Sequence, residues 1–494
     1  MKRAALFIAS TAIVTLASGH AYADDNEMTL IKKLQSQISA QQKQIALQQK
    51  QIDALIGKVK EQDAIGSQAP AATGGDRFSA ESKTISQRLD AIEEKESATP
   101  SVEINPSQGL AITSADRRYA VRFAAYAQLD SHTFFNDHKS VVGTSTNTFE
   151  VRRARPIVDI KMTDYFNAFI MTDFGTGQAR LFDAYGDFHP MPETNFLNAR
   201  FGQFKAPLGL ERAQSGQELP LIERSYANDL VPQRDEGVML YGQAIPNALE
   251  YQAGIFNGAP DLTISNGQAG NAKDFDGRIF AHPFYLTGDA PLQALGAGLA
   301  GSYGSNHEGN STTSELANGF LSEAQRIVFS YGSGTYANGD VWRLNPQLTY
   351  YYKSFGLMAD YVEEGQSVQN GAHKSMLHNK AWEATAGYVL TGEKERYGGV
   401  RPEHDFDPRA NQWGAFELVG RYSELDVDPN AFSFYASPST SVSHAYEVSA
   451  GMNWYFNPAV KLDADFTRET FKGGATTGDR PNEDLLMTRV QLRY

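Results

Sequence analysis

The last residues of the chain alternate: Arg489, Gln491 and Arg493 fall on one face, and Val490, Leu492 and Tyr494 on the other. A period of two that ends in an aromatic residue predicts a closing β-strand, apolar towards lipid and polar towards a wet lumen. The pattern recurs upstream. Between 119 and 130, Tyr119, Val121, Phe123, Ala125, Ala127 and Leu129 oppose Arg122, Tyr126, Gln128 and Asp130. Between 446 and 456, Tyr446, Val448, Ala450, Met452, Trp454 and Phe456 oppose Glu447, Ser449, Asn453 and Tyr455. A short Asn457-Pro458 connection leads to a strand with Val460, Leu462, Ala464 and Phe466 outward and Lys461, Asp463 and Asp465 inward. Polar stretches near 306–324, 363–380, 393–412 and 472–484 are expected as long loops at the rim opposite the short turns.

The first hundred residues carry other periods. Lys2 and Arg3, an apolar run over 4–17 and Ala21-Tyr22-Ala23 form the layout of a secretory signal peptide, expected over 1–23. From 29 to 62 the register is heptad, with Ile31, Ile38, Ile45, Ile52 and Val59 at one position and Leu34, Gln41, Gln48, Leu55 and Gln62 at the other. This predicts a coiled-coil stalk over 24–65 and hence an oligomer, dimer or trimer. A linker over 66–108 follows, rich in Gly, Ala, Ser and Pro at its start and holding a short helical patch around Ile85, Leu89 and Ile92. Beyond the signal, the sequence holds no apolar run of the roughly 18 residues that a spanning helix needs. A membrane protein of this kind must close into a barrel, because lipid satisfies no backbone hydrogen bond. The fold expected is therefore an all-β transmembrane barrel over 109–494, of about 16 antiparallel strands by the family likeness drawn below, with an N-terminal periplasmic coiled-coil segment. A soluble secreted β-sandwich is the alternative, and the length of uninterrupted strand-and-turn pattern weighs against it.

Composition adjusts this picture in three places. There is no cysteine, so disulfide and thiolate chemistry are excluded. The 23 tyrosines and 28 phenylalanines suit aromatic girdles at membrane–water interfaces. The net charge of −14 argues against nucleic acid as a partner but not about the lumen, which has to be read strand by strand.

The strand FEVRRARPIVDIKM, 149–162, is unusually basic. With Ala154, Pro156, Val158, Ile160 and Met162 facing lipid, Arg153, Arg155, Asp159 and Lys161 face the lumen. Arg152 falls in the outward set, so it must sit near the rim or be turned inward by a bulge. A cluster of guanidinium groups in a narrow passage favours anions; a salt-bridged wall, with the arginines paired to Glu150 and Asp159, is the other reading. Segment 200–237 begins as a strand and then loses alternation through Pro207, Gly209, Gly216, Pro220 and Pro232. It is expected either to fold inward as a constriction carrying Lys205, Arg212, Arg224 and Arg234 among Glu211, Glu218 and Glu223, or to form an outer loop.

At these residues the chain resembles the phosphate-selective porins O and P of Gram-negative outer membranes. The likeness is carried by VRRAR at 151–155, FDAYGDF at 182–188, RFGQFKAPLGLERAQSG at 200–216, LIERSYANDL at 221–230, GYVLTGE at 387–393, WGAFELVGRYSELDV at 413–427 and NWYFNPAVKLDADF at 453–466. It implies a homotrimer of about sixteen-stranded barrels in outer-membrane lipid, each with a pore and a central site for small anions such as phosphate. On that likeness Arg152 and Arg153 stand for the family's paired arginines at the constriction; Arg155 and Lys205 join them as anion-binding candidates from the reading of 149–162 and 200–237. Arg212 stands for a lysine of the inward loop, with Ser215 as a hydroxyl donor, Asp183 for a lumen carboxylate and Arg401 for a basic residue after the LTGE strand. Two departures bear on specificity. Between 302 and 332, where phosphate-specific members carry a run of arginines, Arg326 is the sole Lys or Arg, and the serine pair of the inward loop is reduced to Ser215-Gly216.

Chemistry of other kinds finds no support. His307, His373 and His378 have no closing metal-ligand spacing, Gly175-Thr176-Gly177 is a turn without the lysine of a phosphate loop, and G-x-S-x-G is absent. Paired carboxylates such as Asp463 and Asp465 on a barrel wall are usually solvated. No enzyme activity, cofactor or metal is expected. The function expected is an outer-membrane porin for passive diffusion, anion-preferring, with phosphate as the specific candidate. The alternatives are an envelope tether, with the stalk reaching peptidoglycan or another partner, and a specific uptake channel for a sugar or organic acid.

Overall fold

The computed structural model describes residues 99–135, 146–264, 271–307 and 309–494. The expected signal peptide 1–23, the stalk 24–65 and most of the linker 66–108 lie outside the described residues.

Period-two alternation becomes a ladder. β1 (Ser101–Asn105) and β2 (Gly109–Thr113) form a hairpin, and β2 pairs with the first residues of β3 (Ala120–Phe134). From there each strand pairs antiparallel with the next: β4 (Thr148–Lys161), β5 (Phe166–Asp173), β6 (Arg180–Phe188), β7 (Asn198–Phe204), β8 (Asp235–Ile245), β9 (Leu249–Phe256), β10 (Asp274–Ala281) and β11 (Leu295–Asn306). A separate small hairpin, β12 (Phe320–Leu321) and β13 (Ile327–Phe329), interrupts the order. The ladder resumes with β14 (Thr335–Tyr352), β15 (Phe355–Asn370), β16 (His373–Val389), β17 (Ala415–Asp426), β18 (Val442–Asn457), β19 (Val460–Gly473) and β20 (Glu483–Arg493). β20 returns to β3, with Val490 opposite Leu129, and closes a barrel of sixteen antiparallel strands. Closure leaves no wall strand with an unpaired edge, the condition for spanning lipid with strands.

The side-chain faces follow the expected alternation. Tyr126, Gln128, Asp130, Arg489 and Gln491 point inward and are buried, whereas Phe123, Leu129, Met452, Phe466 and Val490 are exposed on the outer wall. The two rims differ. Tight connections such as Lys353-Ser354 and Pro458-Ala459 lie at the rim that holds Tyr494, and most of the longer connections lie at the opposite one.

Two loop expectations need correction. Residues 363–380 are not a loop: β15 and β16 run through them and turn at Gly371-Ala372, with Asn370 opposite His373. The outward faces there carry Glu363, His378 and Lys380 above the aromatic pair Trp382 and Tyr422, whose rings lie 5.1 Å apart. Polarity on both faces came from strands extending past the apolar belt. The stretch 393–412 is a connection, but it lies at the Tyr494 rim, between β16 and β17, and folds into the barrel, where the Tyr397 hydroxyl donates to the Leu210 carbonyl at 2.5 Å.

Candidate functional site

The segment between β7 and β8 folds inward. Its entry depends on Gly209, at φ +73°, where a Cβ would stand 2.8 Å from that of Arg212. Its backbone is then pinned to distant walls. Gly209 N–H donates to Asn345 of β14 at 2.9 Å, and Leu210 N–H to Asp360 of β15 at 2.6 Å. Ile222 N–H donates to Asp465 of β19 at 2.6 Å, and the Tyr226 hydroxyl to Glu469 of β19 at 3.0 Å. Leu208, Tyr226, Leu230 and Val231 are at most 2% exposed and pack with Phe320, Val328 and Phe329 from the connection between β11 and β14. Apolar burial on this scale fixes both inward segments against β15 to β18, as in an ordinary core. The open space that remains lies along β3 to β8.

That space includes two cavities of about 310 Å³ each. The one towards the loop rim is lined by Arg152, Arg153, Arg155, Arg180, Arg212, Arg224 and Arg234, against Asp173, Glu223 and Asp229. The one towards the Tyr494 rim is lined by Arg122, Arg155, Arg200, Lys205, Arg234 and Arg493, against Asp183. Arg155, Gly216 and Arg234 line both and form the neck. A Cβ at 216 would lie 3.1 Å from the Tyr126 hydroxyl and 3.4 Å from Arg155 Nη1, so a side chain there would crowd the neck.

Arg152 reaches the lumen through a β-bulge. Gln128 pairs with Arg153 and Leu129 with Val151, so Arg152 is the extra residue and turns inward beside Arg153. Much of the basic charge is compensated. Glu223 accepts from Arg152 at 2.7 and 3.0 Å, from Arg153 at 3.3 Å and from Arg489 at 3.2 Å. Burial would raise the Glu223 carboxyl, but the guanidinium groups of Arg152, Arg153 and Arg489 hold it well below the usual range. Asp173 accepts from Arg155 at 2.7 Å, and Asp183 takes two bonds of 3.1 Å from Arg234. In the second cavity Arg122, Arg200 and Arg493 pair with Asp159, Asp187 and Glu218.

Three cations of the inward segment differ. Among the described residues Lys205, Arg212 and Arg224 form no ion pair and donate only to backbone carbonyls. Lys205 Nζ reaches Ala213 and Gln214 at 3.1 and 2.7 Å, Arg212 reaches Asn228 at 2.8 Å, and Arg224 reaches Glu211 and Gln214 at 3.3 and 2.9 Å. Arg212 is 5% exposed and its Nε has no partner. Removal from water and then the charge of Arg234 push the Arg212 guanidinium down from its ordinary value, and burial and then Arg212 do the same to Arg224. Burial and the nearby Arg234 and Arg224 hold Lys205 well below its ordinary value. All three lower their free energy when a negative charge arrives.

The structure thus brings seven of the expected residues to the passage: Arg152, Arg153, Arg155, Asp183, Lys205, Arg212 and Ser215. Arg401 is a correction. It is exposed on the connection after β16 and lines neither cavity, because its neighbour Val400 is the residue that packs inward, against Val389, Ala415 and Tyr455. Sequence reasoning named neither Arg180 nor Arg200, and offered Arg224 and Arg234 only as cations of a segment that could equally be an outer loop. Arg200 was legible from alternation with the outward Phe201; Arg224 and Arg234 lie in the irregular segment, where no period indicates direction.

The family model described as phosphate-selective porin O and P matches residues 123–494. Porin O of Pseudomonas aeruginosa is 23% identical over 426 residues, covering 80% of this chain and 92% of that protein. Among solved structures, the outer-membrane channel DcaP of Acinetobacter baumannii is similar at 10% identity and a TM-score of 0.49, over 77% of this chain and 98% of that one. An anion-selective porin from Comamonas acidovorans is similar at 10% identity and a TM-score of 0.46, over 76% and 100%. With a family match that runs from the first wall strand to the last residue, this outer-membrane channel belongs to the phosphate-selective porin O and P family.

Proposed function

We propose that the chain is an anion-preferring pore for passive diffusion, its selectivity set where the inward segment faces β4, and that phosphate is among its solutes. The observation that carries this reading is the set of lumen cations, Lys205, Arg212 and Arg224, that form no ion pair among the described residues. An entering oxyanion exchanges part of its hydration for N–H donors of the guanidinium groups, whose planar fork suits several phosphate oxygens at once. Exit follows because Arg152, Arg153, Arg155 and Arg234 are already held by Glu223, Asp173 and Asp183, so few donors let go of a partner for the anion and binding stays weak. The arginine run missing between 302 and 332 is offset by arginines of the wall and of the segment 205–234. We extend the reading to a homotrimer in outer-membrane lipid, with the N-terminal stalk in the periplasm.

A second reading, uptake of organic acids, draws on the cavity at the Tyr494 rim. There Ile157, Phe169 and Tyr185 stand beside Arg122 and Arg200, apolar surface next to cations. Chloride current through the purified protein in a planar bilayer, titrated with phosphate and separately with an aromatic carboxylate, separates the two. Phosphate should block the wild type and do so about a hundredfold more weakly in the double variant Arg212→Gln, Arg224→Gln, about tenfold for each charge-assisted hydrogen bond lost. Block by the carboxylate alone would replace phosphate with organic acids, and an unchanged double variant would remove these cations from the account.

A further inference from the structure

Away from both cavities, near the loop rim, the inner face of β3 and β4 carries a second group of chemistry-bearing side chains. Asp130 and Glu150 stand directly opposite each other in the ladder, and His132 follows Asp130 on the same face. Two carboxylates directly opposite repel and need a cation between or beside them. Asp130 has one: Arg489 donates to its two oxygens at 2.7 and 2.6 Å. Glu150 has none at bonding distance among the described residues. The nearest Lys, Arg or His side-chain nitrogen among the described residues is His132 Nε2 at 3.9 Å, beyond a hydrogen bond. His132 is 5% exposed, and its Nε2 has no hydrogen-bond partner among the described residues. A buried ring nitrogen without a partner is costly, and such groups in native proteins usually mark an unseen water or ion. Nε2 and one oxygen from each carboxylate all lie within 4.8 Å of one another.

We propose that Asp130, His132 and Glu150 bind a divalent transition-metal ion of zinc's class. One imidazole with two carboxylates suits a borderline ion better than magnesium or calcium, which favour oxygen alone. Zinc bonds of about 2.0–2.2 Å require the three donor atoms to draw closer. Glu150, whose side chain is 31% exposed, is free to move, while Arg489 orients Asp130 as outer-shell partners of metal ligands do. The ion would sit two residues from Arg152 and add positive charge at the mouth of the basic passage, so occupancy raises anion preference.

The test uses the untagged full-length protein in detergent, titrated with zinc chloride and with magnesium chloride, metal uptake being read by calorimetry and elemental analysis. One zinc per chain is expected, with affinity at least tenfold weaker in His132→Ala and in Glu150→Gln and unchanged by excess magnesium. His444→Ala serves as control, because Glu424, Asp426 and His444 form another possible ligand set on the outer wall. His132→Gln replaces the alanine variant if that fails to fold. No uptake, uptake insensitive to His132 and Glu150, or uptake lost only in His444→Ala would overturn the proposal.

Discussion

Arg153 and Arg212 are both buried arginines at the passage, yet they offer an anion different things. Arg153 already gives Nη1 to Gln128 at 2.7 Å and Nη2 to Glu223 at 3.3 Å, whereas among the described residues Arg212 has an unsatisfied Nε and no paired carboxylate. Arg212→Gln should therefore weaken phosphate block about tenfold, the worth of one charge-assisted hydrogen bond, and Arg153→Gln by less than about threefold. Equal effects would mean that pairing does not decide which arginine serves the anion. Lys205 gives the passage a pH dependence. Burial and nearby guanidinium groups lower its value, so it is charged below that shifted value and neutral above it. Anion selectivity should decline as pH rises through a range below the ordinary lysine value, and Lys205→Arg should flatten the profile because arginine keeps its charge. A wild-type profile that stays flat up to pH 10 would contradict this. The residue types of the site were legible in the sequence, but their pairing was not. Glu223 lies 71 positions from Arg152, and Asp130 lies 359 from Arg489. Nothing local decides which cation is left over.

Among elements, β4 shows what a period can reveal and where it stops. Strict alternation put Arg152 on the lipid side, and the cost of that placement pointed to a bulge, which is where the ladder shifts register. Deleting Arg152 should leave a regular strand, with Val151 still outward and Arg153 still inward, and cost one lumen cation but not folding. Deleting Val158 from the same strand reverses every side chain beyond it and should abolish folding. The fraction of heat-modifiable, folded protein on a gel compares them; equal loss would mean that the bulge is not the slack the register implies. The inward path of 205–234 was legible only as a loss of alternation. Its anchors, Asn345, Asp360 and Asp465, sit on strands more than 130 positions away. At 363–380, by contrast, the sequence predicts a loop where two strands run, because both their faces are polar where they leave the apolar belt.

At the scale of the whole molecule, a chain of net charge −14 surrounds a basic passage. The two facts are compatible because carboxylates gather elsewhere. Arg421, opposite the passage, is enclosed by Glu211, Glu323 and Glu447, and the inward segments cover that acidic wall with apolar side chains. Net charge could not reveal this arrangement; strand faces revealed half of it, and the closure of β20 on β3 supplied the rest. The central claim, that the basic passage between the inward segment and the uncovered wall sets the sign of the ion that passes, is tested most directly by the reversal potential of the purified protein in a planar bilayer under a potassium chloride gradient. The account predicts a potential displaced towards the chloride equilibrium value, and a shift towards potassium in Arg212→Glu. A wild-type potential on the potassium side, or one that Arg212→Glu leaves in place, would contradict it.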